Sequence, residues 1–399
     1  MHSDNGTYCP LLFNEIYADS SGEYKLCCHS GHSDCSRKYR IQTHNPFEYL
    51  LSPEMEEKRR KVLAGEKLQE CDICYEQEKE IYMVPQFGIL AKKSYRTKAF
   101  KKLLNFNSDA GYDPPKSVGK INLKLRINGN FCNLSCAMCI PFNSSTRKIE
   151  MDKIYPEGWD FFSTTKYVPL KIERWESIVN DLIENIDRIN AIQLTGGEPL
   201  QLPRHWELLN RIPDEYAKQI HLQYDTNLTK LHYKGYHIND VIDRFRSVYL
   251  GISCDHYGEK LGYIRYPIDV KQFEANLKEM EYHQNKSINC TTSLLNIEDL
   301  IQIRDYYRNN FNIFVQFTSV VRGPRFLSVR NLPEERKKQL IKSLSPLLSI
   351  DVENAEIIYV IQELEKKGKL GKIEQLKSYL RKLSTQRNTD HSILWPQYA

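Results

Sequence analysis

The stretch Phe131-Cys132-Asn133-Leu134-Ser135-Cys136-Ala137-Met138-Cys139-Ile140 carries three closely spaced cysteines just after a strand-like segment. Three residues separate the first two cysteines and two separate the second pair, so the three thiolates can converge on one inorganic centre. Three protein ligands on a four-iron cluster leave one iron open to a small molecule, and the spacing therefore predicts a chemical site rather than a structural one. The alternative is a set of buried, unreactive thiols.

The bulk composition favours a soluble globular protein. The chain has 399 residues, of which 41% are apolar, and a formal net charge of +5. These values predict two or three domains and do not indicate a dedicated nucleic-acid-binding protein. The N-terminal segment lacks the apolar core of a signal peptide, and no apolar run reaches membrane-spanning length. We therefore expect a cytoplasmic protein without a membrane partner, in which the eleven cysteines indicate metal binding or catalysis rather than disulfides.

Strand-like and helical segments alternate between about residues 118 and 330. Apolar and polar residues alternate from Ile121 to Ile127, and a helical period of apolar residues follows from residue 172 to 186. The further predicted strands are residues 191–194, 219–224, 247–253, 287–294 and 312–317. Repeated strand–helix units predict an α/β fold with a parallel sheet, as an open or closed barrel, whose chemistry gathers at the carboxyl ends of the strands.

The zones on either side of this core have a different character. Residues 1–115 are cysteine-rich and irregular, and they end in a linker-like stretch at residues 107–116. The segment from residue 331 to 399 is helical and highly charged in pattern, and it ends in a polar tail. The predicted domains are therefore 1–115, a core at 116–330 and a helical C-terminal extension at 331–399.

A second motif, Gly196-Gly197-Glu198-Pro199, directly follows the second strand of the core. The two glycines permit unusual backbone angles and a close approach at a strand end. Glu198 offers an acceptor for an ammonium group, and Pro199 fixes the exit of the turn. The alternative is an ordinary strand-to-helix turn.

The two motifs, in this order, resemble the hallmarks of the radical S-adenosylmethionine (SAM) superfamily over roughly residues 118–320. The resemblance implies a partial (β/α)6 barrel similar to the TIM barrel, with a [4Fe–4S] cluster on Cys132, Cys136 and Cys139 whose open iron binds SAM. It implies reductive cleavage of SAM to methionine and a 5′-deoxyadenosyl radical, which abstracts hydrogen from a substrate. An external one-electron reductant similar to flavodoxin or ferredoxin would supply the electron.

Other matches extend the SAM site that the resemblance implies beyond Gly196, Gly197, Glu198 and Pro199. Ser253-Cys254-Asp255 stands where peptide-modifying relatives carry Ser-x-Asp-Gly, although His256 replaces the glycine. Arg265 stands where those relatives place an arginine that pairs with the SAM carboxylate, and a guanidinium suits that contact. The alternative for Arg265 is a surface arginine.

Three more positions are similar to the family pattern. Thr226 and Asn227 resemble the Thr-Asn pair that follows the third strand in relatives. Asn296 would reach the nucleoside of SAM, and Met138 would pack on its adenine. Plain core packing is the alternative for Met138.

The front zone carries a second group of cysteines. Residues 19–22 predict a hairpin turn that brings Cys9 and Cys27 together, with Cys71 and Cys74 supplying a later pair. Neighbours on a strand point to opposite faces, so only one of Cys27 and Cys28 can be a ligand, and the spacing favours Cys27. A structural zinc site, with His29 or His32 replacing one thiolate, is the rival interpretation, and Cys35 lies nearby.

The spacing Cys9-x12-Gly22-x4-Cys27, followed by Cys71-x2-Cys74, resembles the twitch domain, a short form of the SPASM auxiliary-cluster domain. The domain usually follows the radical SAM core, whereas here it precedes the core, as in a group of similar proteins. The resemblance implies one auxiliary [4Fe–4S] cluster on Cys9, Cys27, Cys71 and Cys74. Its role would be to relay an electron to or from a peptide, protein or sugar-like substrate.

Two competing functions remain open at this point. A non-catalytic iron–sulfur or zinc protein would explain the cysteines but not the glycine motif, and SAM binding separates it from an enzyme. A nucleic-acid-modifying enzyme rests on the basic residues 92–102 and a mildly positive charge alone. No general acid or base is assigned, although Tyr224, Asp225, Asp255 and Arg322 stand at or just beyond strand ends.

Overall fold

A computed structural model shows the arrangement of the chain. It describes residues 7, 9, 11–19, 21–28, 30–31, 38–75, 120–126, 129–159, 173–321, 323–349, 357–369 and 371–399. The predicted linker, the basic residues 92–102 and Arg322 lie outside the described residues. The same holds for His29, His32 and Cys35 of the zinc interpretation.

The centre of the molecule is an eight-stranded sheet in the order β10-β9-β8-β5-β4-β3-β1-β2, and β6 and β7 form a separate hairpin. All strands of the large sheet run parallel except β2. The strands are β1 Glu15–Ala18, β2 Tyr24–Lys25, β3 Ile121–Leu125, β4 Ile189–Leu194, β5 His221–Thr226, β6 His232–Tyr233, β7 Tyr236–His237, β8 Ser247–Ser253, β9 Lys286–Thr292 and β10 Val315–Val320.

Helices connect the parallel strands and continue beyond the last one. In the described residues they are α1 Leu11–Asn14, α2 Pro46–Leu50, α3 Pro53–Leu63, α4 Ser145–Ile154, α5 Trp175–Glu184, α6 Pro203–Arg211, α7 Asp214–Ala217, α8 Ile238–Arg244, α9 Gly258–Ile264, α10 Val270–Glu279, α11 Leu300–Phe311, α12 Glu334–Leu344, α13 Ile357–Glu365, α14 Lys372–Arg387 and α15 His391–Leu394. None of these helices has the length and apolar character needed to cross a bilayer.

The predicted mixed α/β fold with a mostly parallel sheet is confirmed, and each predicted strand of the core is present within a few residues of its expected position. In the described residues β10 and β2 form the two edges of the sheet. Closure into a partial (β/α)6 barrel therefore stays a prediction.

The N-terminal hairpin extends the central sheet. β1 pairs antiparallel with β2 across the predicted turn, in which the Gly22 N–H donates to the Asp19 carbonyl at 3.0 Å. On its other side β1 pairs in parallel with β3, so that Tyr17 lies opposite Lys124. The front cysteines are thereby attached to the edge of the core, and the domain boundary at about residue 115 stays a prediction.

The chain end packs against the core, and the expectation of a polar tail is wrong. The indole of Trp395 donates to the Leu295 carbonyl at 2.9 Å, and the Tyr398 hydroxyl donates to the Leu294 carbonyl at 3.3 Å. Both side chains are buried. The segment is mostly polar in composition, but these two aromatic residues supply enough apolar surface to pack it against the core.

Candidate functional site

The cysteine loop, residues 129–144, follows β3 and brings Cys132, Cys136 and Cys139 together. The Cys139 N–H donates to the Cys136 carbonyl at 3.0 Å, which closes a turn between these two residues. Burial raises the pKa of all three thiols, and for Cys132 the neighbouring Cys136 and Cys139 raise it further. The three predicted ligands thus lie close enough for their charges to interact, in a largely buried pocket.

Backbone contacts join this loop to the end of β4. The Glu198 N–H donates to the Phe131 carbonyl at 2.7 Å. Gly197 has a φ of +60°, and a Cβ added to it would lie 1.6 Å from the same carbonyl oxygen. Gly196 also has a positive φ, of 92°. The glycine motif therefore permits the close approach that the sequence predicts, against the backbone of the residue before Cys132.

The Glu198 carboxylate connects β4 to the end of β5. It accepts hydrogen bonds from the Leu200 N–H at 3.1 Å, the Thr226 hydroxyl at 2.7 Å and the Asn227 N–H at 2.7 Å. Burial raises the pKa of Glu198 to about 7, and these three donors limit the rise. The carboxylate that the sequence suggests for a ligand ammonium is thus already occupied by protein groups.

Asn227 carries the connection back to the cysteines. Its Nδ2 donates to Asn133 Oδ1 at 2.9 Å and lies 3.9 Å from Cys132 Sγ. Its Oδ1 accepts from the N–H and hydroxyl of Thr229 at 3.0 and 2.7 Å. The predicted Thr226-Asn227 pair therefore lies beside the cysteine loop.

Arg265 and Asp255 form a buried ion pair on the opposite side of the pocket. Arg265 Nε lies 2.7 Å from Asp255 Oδ2, and Arg265 Nη1 lies 4.0 Å from Cys136 Sγ. Asp255 also accepts from the Thr291 N–H at 2.8 Å. Both predicted residues are buried here, so the surface alternative for Arg265 does not hold.

The remaining predicted SAM contacts lie at or beyond strand ends or in the cysteine loop. The Asn296 side chain donates to the carbonyls of Asp255 and Thr291, each at 3.0 Å, and so ties together the ends of β8 and β9. Ser253 is the last residue of β8 and is half-buried, Met138 is partly buried against the core, and Pro199 is buried at the start of a short 3₁₀ turn. The Asn296 side chain therefore supports the site by binding backbone carbonyls at the ends of two strands.

The front cysteines form a second group. Burial raises the pKa of Cys71 to about 12, and the thiols of Cys9, Cys27 and Cys74 add to the rise, so these three lie in the neighbourhood of Cys71. The Gly31 N–H donates to the Glu70 carbonyl at 2.9 Å and holds the turn after Cys27 beside Cys71. The four cysteines that the spacing selects are thus neighbours.

Cys28 faces a different environment from Cys27. It is exposed, and its charge acts on Tyr17 and Lys124 of the sheet, whereas the charge of Cys27 acts on Cys71. Cys27 and Cys28 lie beyond the end of β2, in a bend and a turn, so strand alternation does not apply to them and the choice of Cys27 stays a prediction.

One face of the parallel sheet is polar from strand to strand, a feature that the sequence interpretation missed. The strand register places side by side a row of polar residues on β1, β3, β4, β5 and β8, namely Tyr17, Lys124, Gln193, Gln223 and Tyr249. The opposite face is apolar and buried. Parallel sheets that are covered on both faces are apolar on both, so this face borders a hydrophilic space.

The polar face carries balanced charges and unpaired atoms. Gln193 Nε2 donates to Asp225 Oδ2 at 2.8 Å, and Lys124 Nζ lies 3.4 Å from Glu15 Oε2. Three buried polar atoms of this face, Glu15 Oε1, Arg126 Nε and Gln193 Oε1, have no hydrogen-bond partner among the described residues. An unpaired buried polar atom costs about 1–3 kcal/mol, so these three atoms call for polar partners that the described residues do not supply.

Both cysteine groups have the donor set of an iron–sulfur cluster. Each offers thiols, which iron–sulfur clusters bind, and zinc accepts the same donors. In the described part of the chain, no three Cys, His, Asp or Glu side chains are gathered as tightly as a bound metal ion would hold them.

Comparison with protein families identifies the core. Residues 128–317 match the model of the Radical SAM superfamily. The chain therefore carries a Radical SAM domain, which includes both motifs. No curated protein matches the chain.

Solved structures resemble the chain at low identity. A structure of native anSMEcpe with bound AdoMet is 17% identical, with a TM-score of 0.41, and the match covers 59% of this chain and 62% of that chain. SuiB of Streptococcus suis, bound to the precursor peptide SuiA, is 14% identical with a TM-score of 0.37, covering 75% and 60%. TYW1 with a lysine-pyruvate adduct is 15% identical with a TM-score of 0.33, covering 53% and 69%. The chain thus spans less than two thirds of anSMEcpe and SuiB.

We predict that Gly197→Ala destabilises the protein because the new Cβ overlaps the Phe131 carbonyl. The overlap should cost about 1–3 kcal/mol in the free energy of unfolding, measured by chemical denaturation. Gly235→Ala is the matched control, since Gly235 also has a positive φ but nothing lies within 4 Å of its added Cβ. Equal losses in the two variants would mean that the strained backbone alone, and not the contact, sets the cost.

Proposed function

We propose that this protein, whose residues 128–317 form a Radical SAM domain, is an enzyme that cleaves SAM reductively and abstracts hydrogen from a sugar-like substrate. The observation that carries the proposal is the junction between the cysteine loop and the end of β4. There the Phe131 carbonyl lies against Gly197 and accepts from Glu198. A bare electron carrier has no need of this second motif at the cysteine pocket.

Cys132, Cys136 and Cys139 would hold a [4Fe–4S] cluster. When bound, the cluster and SAM supply the electron and the 5′-deoxyadenosyl radical that removes hydrogen from the substrate. Three thiol ligands leave one iron for the amino and carboxylate groups of SAM. An external reductant, similar to flavodoxin or ferredoxin in a reducing compartment such as the cytoplasm, would deliver the electron.

The residues around the cluster would bind and orient SAM. Arg265 would face the SAM carboxylate, held in place by Asp255, because a guanidinium forms directional contacts with carboxylates. Gly196 and Gly197 would allow SAM to approach the backbone, and Glu198 would fix the strand ends. We keep Pro199, Ser253, Asn296 and Met138 in this proposed site, as neighbours that shape the pocket.

We predict that the wild type, reconstituted anaerobically and reduced with dithionite, converts SAM to 5′-deoxyadenosine, and that Cys136→Ala forms none. Cys254→Ala is the matched control, because Cys254 is equally buried but bonds to Tyr307 rather than standing in the cysteine loop. The product is measured by chromatography with mass detection. A wild type that forms no more 5′-deoxyadenosine than Cys136→Ala overturns the proposal. Absence of SAM binding as well would favour a non-catalytic iron–sulfur or zinc protein.

The front cysteines support a second proposal, one auxiliary [4Fe–4S] cluster in a segment similar to a twitch domain. The thiols of Cys9, Cys27 and Cys74 all raise the pKa of Cys71, which supports a common site for the four. Four cysteine ligands leave no open iron, so the proposed role is electron transfer with the substrate. The hairpin attaches this group to the edge of the sheet that carries the polar face.

We predict that Cys27→Ala loses about half of the bound iron and sulfide, because one of two equal clusters is lost. Cys28→Ala should keep all of it, since Cys28 faces Tyr17 and Lys124 instead. Iron, sulfide and zinc are quantified in each purified variant. Equal iron content in the two variants contradicts the ligand assignment, and zinc that depends on Cys27 would establish the zinc interpretation.

The polar face of the sheet supports a sugar-like substrate over an apolar one. Its described charged groups include two acids, Glu15 and Asp225, and two bases, Lys124 and Arg126. Lys25, opposite Tyr17, is paired with Asp19 at 2.9 Å, so the charges balance. Asn289 Nδ2 and Asp225 Oδ1 lie 2.5 and 3.1 Å from the position that a Gly251 Cβ would take, which leaves both side chains over this glycine. Amide, carboxylate and hydroxyl side chains spaced along the strands can each form a hydrogen bond with one hydroxyl group of a hydroxyl-rich molecule.

We predict that hydroxyl-rich small molecules, tested as a hexose, a cyclitol and a nucleotide-sugar pool, raise 5′-deoxyadenosine formation by the wild type. Gln193→Leu should abolish this rise and keep the basal rate, because it removes a substrate-facing amide without touching the cysteine loop. Gln339→Leu on the exposed face of α12 is the control. A rise caused by peptide probes alone, or an unchanged response in Gln193→Leu, contradicts the substrate class.

A further inference from the structure

The cysteine loop is held on its outer side by residues far away in the chain. Four buried side chains, which we call the arginine clamp, contact it: Arg147 and Glu150 of α4, and Tyr379 and Arg387 of α14. Helix α14 belongs to the C-terminal extension and lies outside the matched residues 128–317. The clamp therefore adds contacts to the cysteine loop that the Radical SAM domain does not itself contain.

Arg387 forms the largest share of these contacts. Its fully buried guanidinium donates to the carbonyls of Ser135 at 2.5 Å and Tyr263 at 2.8 Å. It also binds both oxygens of Glu150, at 2.7 and 2.9 Å. Ser135 Oγ in turn donates to Glu150 Oε2 at 2.5 Å. The residue before Cys136 is thus held by backbone and side chain together.

Tyr379 and Arg147 hold the rest of the loop. The Tyr379 hydroxyl donates to the Ala137 carbonyl and accepts from Arg147. Arg147 also donates to the Ala137 carbonyl at 3.4 Å and to the Cys139 carbonyl at 3.3 Å. Three alternate carbonyls of the loop, those of Ser135, Ala137 and Cys139, therefore point at the clamp.

This orientation determines where the next amide groups point. In a planar trans peptide the N–H points opposite to the preceding carbonyl. The N–H groups of Cys136, Met138 and Ile140 are therefore directed away from the clamp. The N–H groups of Ser135 and Ala137 instead bond to the carbonyls of Tyr266 at 2.6 Å and Ile264 at 2.7 Å.

The clamp also places positive charge beside the thiols. Two guanidinium groups share one carboxylate, so the clamp is positive overall. Burial alone would raise the pKa of Glu150, but Arg387 and Arg147 more than offset this and hold it below its usual value. Arg147 donates to the Cys139 carbonyl and Arg387 to the Ser135 carbonyl, so both guanidinium groups lie directly against the cysteine loop. Charge in a buried setting is weakly screened, so it acts on any centre bound there.

We propose that the arginine clamp, to which the C-terminal extension contributes Tyr379 and Arg387, positions the cysteine loop and raises the reduction potential of the cluster bound there. The inference rests on the proposed function, since it needs a cluster on Cys132, Cys136 and Cys139. Reduction adds negative charge to the cluster, and fixed positive charge and oriented N–H groups stabilise that charge. Tyr379 and Arg387 are positioning residues, because they contact the loop rather than the reacting atoms.

The first test changes the charge of the clamp. Arg387→Met should shift the midpoint potential of the cluster to more negative values. Arg387→Lys keeps the positive charge, so its potential should stay close to that of the wild type. The potential is read from the EPR signal that changes when SAM is added. Arg330→Met is the matched control, because it also breaks an arginine–glutamate pair of the C-terminal region, with Glu363. Equal potentials for Arg387→Met and the wild type overturn the electrostatic part of the proposal.

The second test changes the positioning without changing charge. Tyr379→Phe removes the hydroxyl that binds the Ala137 carbonyl, and we expect iron to be lost to a chelator about 10–100-fold more readily. Tyr398→Phe is the control, since it deletes an equally buried hydroxyl that bonds to Leu294 instead. Equal iron loss in both variants overturns the positioning role.

These outcomes also separate the inference from its premise. A wild type that assembles no cluster overturns both the proposed function and the clamp. A wild type with a SAM-responsive cluster, whose potential and iron retention are unchanged in Arg387→Met and Tyr379→Phe, overturns the clamp alone. Thermal unfolding of each variant shows whether a loss of fold, rather than a changed cluster, causes the effect.

Discussion

The close approach of Gly197 to the Phe131 carbonyl is the constraint on which the site depends. The Cβ of any side chain at position 197 would overlap the Phe131 carbonyl. The backbones would have to separate, and the Glu198 N–H would lose its 2.7 Å hydrogen bond to that carbonyl. This contact fixes the start of the cysteine loop to the end of β4. Glu198 then binds the Asn227 N–H, and Asn227 returns to Asn133 in the cysteine loop. The ends of three neighbouring strands thereby form one closed circuit of hydrogen bonds.

A circuit of this kind explains why a carboxylate can be buried at Glu198. Burial disfavours its charged form, and the three protein donors recover part of that cost. Loss of any one donor would leave an unsatisfied oxygen in a dry environment. The glutamate therefore couples the correct placement of β4, the cysteine loop and β5, so that the pocket assembles as a unit.

The features that depend on residues close together in the sequence could be predicted from the sequence. Alternation predicted the strands, and the glycines predicted the close approach. The choice of Cys27 over Cys28 stays a prediction, because both residues lie beyond the end of β2. The polar face was within reach, because Lys124 and its neighbours alternate with the core residues. In each strand alone, however, the polar residues predict only a solvent-exposed side. The register that aligns the polar residues of neighbouring strands is a property of the whole sheet.

Contacts between distant segments could not be predicted in this way. Arg387 and Ser135 are 252 residues apart, and a charged residue near the end of a polar helix gives no local sign of burial. The same holds for Trp395 and Tyr398, whose partners lie in the loop after β9. The helical character of residues 331–399 was predicted, but not the surface against which α14 packs, because side-chain partners over such separations depend on the whole fold.

The protonation of the thiols depends both on the cysteine loop itself and on contacts from distant segments of the chain. Burial raises the pKa of Cys132, Cys136 and Cys139, so the metal-free pocket holds them as neutral thiols near neutral pH. A cluster binds thiolates, and its assembly must therefore release those protons and place negative charge in a dry site. Arg147, Arg265 and Arg387 already act on Cys136 in the direction that lowers its pKa. The same buried cations that order the loop thus offset the electrostatic cost of filling it, which gives the C-terminal helix a reason to reach so deeply into the core.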